Sequence, residues 1–245
     1  VNTLMRSADY RFFLDDSGAK VLVVSEPLWA EVGPAVASAK VLERVVVVGG
    51  SAPPRHTSFR EWIADAPAAL KPADTSKDDP AFWLYSSGST GFPKGAVHRH
   101  RDMLVCSDTY GLQVLRIVDS DVTFSAAKLF FAYGLGNSLY FPMRVGAEAV
   151  LFPGRPTPEA VFEILDRERP TLFFGVPTLY ASMLQVKDAD SRFDLSSLRQ
   201  CVSAGESLPA DVYRRWFDRF HVEILDGIGT TEVLHIFKSN RPGQV

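Results

Sequence analysis

Apolar and polar positions along this chain follow two rhythms, and they take turns. KVLVVS (20–25) and RVVVVGG (44–50) are short β-branched runs and read as buried strands. Between them EPLWAEVGPAVASAK has the spacing of a helix, which Pro34 must interrupt or kink. Residues 51–80 are rich in Pro, Ala and Asp and read as a connector, with one short helix at FREWIAD.

The second half is more regular. AFWLYSS, VTFSAAKLFF, EAVLFP, TLFFGVP, LRQCVSAG and VEILDGIG have strand character. HRDMLVCSDTYGLQVL, YGLGNSLYFPMRVG, TPEAVFEILDRERP, TLYASMLQVKD and LPADVYRRWFDRF alternate with them as helices. The third of these opens on a Thr N-cap with Pro158 in its first turn, and Pro170 stops it. This alternation predicts an α/β fold with a mainly parallel sheet flanked by helices. Ligands then belong in the loops at the carboxyl ends of the strands.

Composition narrows the picture. The chain has 245 residues, 46% hydrophobic and 22% charged, so it can bury a sizeable core. A net charge of −3 gives no electrostatic footprint for nucleic acid or a membrane surface, and neither is expected as a partner. Cys106 and Cys201 lie far apart and form no zinc pattern, so they read as reduced thiols of a cytoplasmic protein. The chain starts at Val1 and stops at NRPGQV, which reads as a piece of a longer protein.

YSSGSTGFPKG (85–95) carries the strongest chemical signal. Gly88 and Gly91 let the backbone approach a ligand closely. Ser86, Ser87, Ser89 and Thr90 offer hydroxyls, and Lys94 adds a point charge. Such a loop can wrap phosphate oxygens. It is not the GxxxxGK[ST] loop of kinases and NTPases, because Phe92 and Pro93 separate Gly91 from Lys94 and Gly95 follows the lysine.

The whole of YSSGSTGFPKG resembles the phosphate loop of the adenylate-forming enzymes, which include acyl- and aryl-CoA synthetases and luciferases. DGIGTTE (226–232) and SAGESLP (203–209) are similar to two further motifs of that family, in the family's order. KLFFAYGLGNSLYFPM (128–143) and DGIGTTEVLHIF (226–237) resemble the benzoate-CoA ligase group within it. Many relatives carry His where this chain has Phe131, a departure that points to the same group.

The resemblance implies the N-terminal AMP-binding domain of the luciferase-like fold, with 1–80 as a first α/β segment and connector and 81–245 carrying the site. It implies ATP, Mg2+ and coenzyme A, with a small aromatic carboxylic acid as substrate. It also leaves room for a homodimer of the full-length protein. A carboxylate would attack the α-phosphate of ATP to give an acyl-adenylate, and the coenzyme A thiol would then displace AMP. Ser86, Ser87, Gly88, Ser89, Thr90, Gly91 and Lys94 would hold phosphates. Glu232 would be the magnesium ligand and Thr231 would bond the α-phosphate. With Lys94, these two make the catalytic set. Ala204, Gly205 and Glu206 would lie along the adenine, with Asp226, Gly227, Ile228, Gly229 and Thr230 completing the nucleotide site. Asp226 is read equally as an acceptor for the adenine amine and as an Asx turn ending its strand.

Phe131, Ala132, Tyr133, Gly134, Gly229, His235 and Ile236 are the matching acyl-pocket positions. Gly134, Gly136 and Gly229 are expected to make room for the ring, although a lone histidine such as His235 is more often structural. Lys128 is read either as a substrate-side cation or as a strand-end lysine. HRHR (98–101) is expected to begin the helix after the phosphate loop rather than to bind metal.

The family also needs a later Asp for the ribose and a mobile C-terminal domain with a lysine. Neither is present, so the 245 residues alone are expected to be poorly active or inactive. A medium-chain or other aryl acyl-CoA synthetase is the alternative within the same chemistry. A truncated, non-catalytic nucleotide-binding module is the alternative outside it.

Overall fold

The structure, a computed structural model, describes residues 1–50, 52–64, 66–86 and 93–245. It divides into two compact units, Val1–Asp74 and Thr75–Val245.

In the first unit, β1 (Val21–Ser25), β2 (Arg44–Val48) and β3 (Thr57–Ser58) form a parallel sheet in that order. Its helices are α1 (Ser7–Ser17), α2 (Trp29–Val36) and α3 (Phe59–Ala64). The apolar rhythm does not mark α1, since only Tyr10, Phe13 and Leu14 are buried, within little more than one turn. Gly18 closes it with φ of 62°. The expected helix through Lys40 is shorter than its apolar spacing suggests. It contains Pro34 and ends two residues later.

In the second unit, β4 (Pro80–Ser86) and β5 (Lys94–Arg99) form an antiparallel pair. This corrects two expectations. β4 is a half-exposed hairpin strand with Trp83 42% exposed, not a member of the expected parallel sheet. His98 and Arg99 end β5, and α4 (His100–Cys106) starts only afterwards. His98 is buried beside the Phe82 ring at 5.3 Å, and Arg99 and Arg101 pair with Asp78, so HRHR is spent on structure.

The remaining elements follow in order. They are β6 (Val122–Ser125), α5 (Ala132–Leu135), α6 (Phe141–Val145), β7 (Glu148–Val150), α7 (Pro158–Glu168), β8 (Leu172–Gly175) and α8 (Pro177–Met183). Then come α9 (Ala189–Arg192), β9 (Gln200–Ala204), α10 (Ala210–Phe220), β10 (Ile224–Gly229) and β11 (Ile236–Ser239). Two π-helical segments, Ser107–Gly111 and Gly136–Tyr140, continue α4 and join α5 to α6.

The six-stranded sheet has the order β11-β10-β9-β8-β6-β7, and only β11 is antiparallel. Side chains alternate across it, as strand geometry requires. Phe124, Phe173, Cys201 and Ile224 face one core with Phe162, Tyr180 and Trp216. Leu172, Phe174, Val202 and Leu225 face the other, with Tyr110, Phe141 and Ile236. Burial on both faces explains why these strands are almost wholly apolar. Because β6, β8, β9 and β10 run parallel, their carboxyl ends open on one edge of the sheet. At the opposite end Asp121 clamps three strand starts. Arg199 donates to it in a fork, at 2.9 and 2.7 Å, and the Thr171 hydroxyl donates at 2.6 Å. No helix among the described residues is long and apolar enough to cross a membrane.

Candidate active site

Three segments beyond strand ends surround a cavity of about 240 Å³. Phe131, Ala132 and Tyr133 line it from the start of α5, Ala204 and Gly205 from the end of β9, and Gly229 to Thr231, His235 and Ile236 from the β10–β11 turn. In sequence, 71 residues separate Tyr133 from Ala204 and 24 separate Gly205 from Gly229, and the sheet brings them together.

Phe131 is 48% exposed, at the N-cap of α5. The Tyr133 hydroxyl donates to the Val202 carbonyl at 3.1 Å, which ties α5 to β9. Burial pushes its phenol well above the usual range, so it stays protonated. Gly205 has φ of 95°, a conformation that favours glycine, and turns the chain sharply after Ala204. Glu206 follows, exposed.

The DGIGTTE segment reaches the end of β4 across 146 residues. Ser86, at the end of β4, donates its hydroxyl to Glu232 Oε1 at 3.2 Å. The backbone N–H of Glu232 and the Ser86 hydroxyl hold this exposed carboxyl below the usual range, so it is ionised. Thr230 Oγ1 accepts from Val233 N at 3.2 Å, which folds the turn that carries Thr231 into the cavity wall. Lys94 pairs with Ser86 across the hairpin and is exposed. Ser87, Gly88, Ser89, Thr90 and Gly91 lie outside the described residues.

Several expected positions do not line this cavity. Asp226 stands within β10. Its Oδ2 accepts from Leu208 N at 3.2 Å, its own N–H donates to Asn240 at 2.7 Å, and its Oδ1 is buried with no partner among the described residues. Burial raises its pKa. The carboxylate thus reaches back to the loop between β9 and α10, which is not the bond of an Asx turn. Gly227 packs under Ile236, and Ile228 is 58% exposed.

The glycines act differently from the expectation that they open space for a ring. A Cβ on Gly134 would strike the carbonyls of Ala127 and Lys128, one on Gly136 would strike the His235 ring, and one on Gly229 would lie 2.7 Å from the His235 carbonyl oxygen. Their smallness serves close packing of backbone and ring. Lys128 is tied to the carbonyls of Phe152 and Gly154, the latter at 2.6 Å, so it fastens a loop as a strand-end lysine.

His235 is 2% exposed and sits among the rings of Tyr110, Tyr133, Tyr140 and Phe141. Burial pushes its pKa down to about 3, so the ring is neutral. Its Nε2 meets the Tyr133 carbonyl at 3.2 Å and Asn137 Oδ1 at 3.1 Å. The sequence reading missed Asn137. Its only signal is an amide inside the apolar run GLGNSLYF.

A second, mostly apolar cavity of about 630 Å³ shares Phe131, Tyr133, Ala204 and Gly205 with the first and extends to Arg155, Thr178 and Ser182. An open groove of about 710 Å³ around Asp190, Arg192 and Arg219 shares no residue with either, and its Arg219 is spent in an ion pair with Asp190. Among the described residues no three His, Cys, Asp or Glu come together as a metal set.

The model of the AMP-binding enzyme family matches residues 1–244. The chain is 53% identical over its whole length to a benzoate–CoA ligase of Thauera aromatica, covering 46% of that protein. It is 43% identical, again along its whole length, to a 4-hydroxybenzoate–CoA/benzoate–CoA ligase of Rhodopseudomonas palustris, covering 45% of it. Among solved structures, the anthranilate CoA ligase AuaEII in complex with anthranoyl-AMP matches with a TM-score of 0.96 and 42% identity, over 100% of this chain and 47% of that one. The chain therefore spans about half the length of the curated relatives it matches.

Proposed function

This chain belongs to the AMP-binding enzyme family, and from that premise we propose that it is the central part of the N-terminal domain of an ATP-dependent aryl-CoA ligase. Its substrate is benzoate or a simple substituted benzoate. The Ser86–Glu232 hydrogen bond carries this reading, because it joins the phosphate-loop strand to the turn whose Thr231 lines the cavity.

On this reading the acid's ring enters the cavity between Tyr133, His235 and Ile236, and its carboxylate faces Thr231. The volume of about 240 Å³ suits one ring rather than a long chain. The acid's oxygen attacks the α-phosphorus of ATP in line, and pyrophosphate leaves with the electron pair of the broken P–O bond. Charge builds on phosphate oxygens, so the protein's part is positioning and electrostatic stabilisation. Thr231 donates to the α-phosphate, while Lys94 and the loop between β4 and β5 meet the β- and γ-phosphates.

Glu232 fits a hard divalent cation. It is ionised and exposed, and among the described residues it joins no group of three ligating side chains, which suits Mg2+ with waters and phosphate oxygens as its other ligands. Bound there, the ion would neutralise phosphate charge. Ala204 and Gly205 offer the purine a flat surface. The adjoining apolar cavity gives the coenzyme A thiol a route to the acyl carbon past Phe131. The thiolate then forms the thioester bond as AMP leaves.

The test is ATP–pyrophosphate exchange by the natural full-length gene product with benzoate, 4-hydroxybenzoate, 2-aminobenzoate and hexanoate. Exchange driven by benzoate supports both the adenylation and the ring slot. Exchange driven by hexanoate alone keeps the chemistry and overturns the slot. A folded protein with no exchange would be a nucleotide-binding module.

A further inference from the structure

The turn between β10 and β11 holds its shape against a local cost. Among the described residues six other than glycine have positive φ, and five of them are Arg, Asp or His. The sixth is Leu234, with φ of 73° and 1% exposure. In this left-handed conformation a Cβ crowds the following carbonyl, so hairpin turns usually give such a position to glycine or asparagine. Strain of this kind persists only where the surroundings fix it.

Several contacts fix Leu234. No residue from Ile228 to Val233 is buried, and Leu234 is the first to return to the core, among Tyr110, Leu115, Tyr140 and Phe141. Its N–H donates to the Thr231 carbonyl at 3.1 Å, which closes a four-residue turn over Glu232 and Val233. From α4, the Cys106 thiol donates to the Val233 carbonyl at 3.6 Å.

The place of this reversal decides the geometry of the site. Thr231, three residues upstream, lines the cavity, and Glu232, two upstream, accepts from Ser86 at the end of β4. Downstream, the His235 carbonyl lies so close to Gly229 that no Cβ fits between them, which fixes where the chain re-enters the sheet. A Leu234 relaxed to negative φ would redirect the chain ahead of that fixed point, and Thr231 and Glu232 would move with it.

We propose that Leu234 is a positioning residue: burial of its side chain holds the strained turn that sets Thr231 in the cavity wall and Glu232 against the end of β4. It does not line the cavity and acts through its neighbours. This rests on the reading of the cavity as the site of adenylation.

The natural full-length gene product is tested in two ways. Urea unfolding without ATP or metal compares Leu234→Gly with Leu234→Ala. At ordinary positions glycine is the less stable of the two, but here it should equal or exceed alanine, because it adopts positive φ freely. In ATP–pyrophosphate exchange with benzoate, kcat per folded molecule should fall about tenfold in both variants, since each loses the anchor. Leu234→Met keeps the anchor and should stay within about twofold of the wild type. Leu115 lies in the same core, where its carbonyl accepts from Arg199 at the opposite end of the sheet. Leu115→Ala should therefore lower stability and leave kcat unchanged. If Leu234→Ala and Leu234→Gly do not fold, Leu234→Val decides. It shortens the anchor and, being β-branched, resists positive φ, so its stability and its kcat should both fall.

A Leu234→Ala protein more stable than Leu234→Gly would overturn the proposal. So would full kcat in any folded Ala, Gly or Val variant at 234, or a loss in Leu115→Ala as large as theirs. Absence of exchange by the wild type with benzoate and every substituted benzoate would instead overturn the adenylation reading beneath it.

Discussion

Glu232 concentrates what one residue contributes to this site. It is the one acidic group in the turn that carries Thr231 to the cavity, and it is held by Ser86 at 3.2 Å. Glu232→Gln keeps its size and removes its charge. Exchange activity of the full-length protein should fall about 10²-fold or more, as when one preorganised electrostatic partner is lost. The Mg2+ concentration for half-maximal rate should rise with it, and an unchanged metal requirement would take Glu232 out of that role. His235 makes a different single-residue prediction. Its pKa of about 3 lies below the value of about 6.5 that histidine has in an unfolded chain. From about pH 6.5 downward the unfolded state binds a proton that the folded state refuses, so stability falls with pH until about pH 3. Between about pH 6.5 and 5 this amounts to up to about 2 kcal/mol. Urea unfolding at these two pH values should show it, and His235→Gln should remove most of the difference. The groups around the ring are the phenols of Tyr110, Tyr133 and Tyr140, which stay protonated throughout that range.

At the scale of elements, much of the architecture was legible and much of the packing was not. Strands such as Leu172–Gly175 and Gln200–Ala204 are apolar on both faces and declare themselves in any window. α7 announces both ends through Thr157 and Pro158 at its start and Pro170 beyond it. α1 was missed because a helix that buries three side chains carries little periodicity. The motif positions around Thr231 were legible because they are contiguous. The Asn137–His235 pair was not, because its members lie 98 residues apart and meet only when the π-helical segment after α5 packs on the β10–β11 turn. The glycines were misread for a related reason, since sequence shows an absent side chain but not what would have met it. Gly134→Ala tests this directly. Its Cβ would meet backbone carbonyls, which cannot move aside, so unfolding free energy should drop by about 1–3 kcal/mol. If Gly134→Ala were neutral in stability and lowered only the affinity for the acid, the ring-space role would return.

Over the whole second unit, one end of the sheet works and the other holds. The carboxyl ends of β6, β9 and β10 converge on the cavity, while Asp121 joins the starts of β6, β8 and β9. Burial alone would raise the Asp121 carboxyl, but Arg199 and Thr171 outweigh it and hold the pKa low. Its stabilisation is therefore present above about pH 3.9, the unfolded aspartate value, and is lost as pH falls through the lower folded value. Asp121→Ala should cost about 3 kcal/mol, because it strands Arg199 and the Thr171 hydroxyl. Activity per folded molecule should stay unchanged, since no cavity residue touches this clamp.

In the proposed reaction the cavity end builds an acyl-adenylate. The direct measurement mixes the full-length protein with ATP, Mg2+ and benzoate, omits coenzyme A, quenches within a turnover and identifies the product by mass. Benzoyl-AMP and pyrophosphate should appear in amounts equal to the active sites, and the adenylate should discharge to the thioester when coenzyme A is added. Thioester formed with coenzyme A while no benzoyl-AMP ever accumulates, or ATP cleaved to ADP and phosphate, would contradict it.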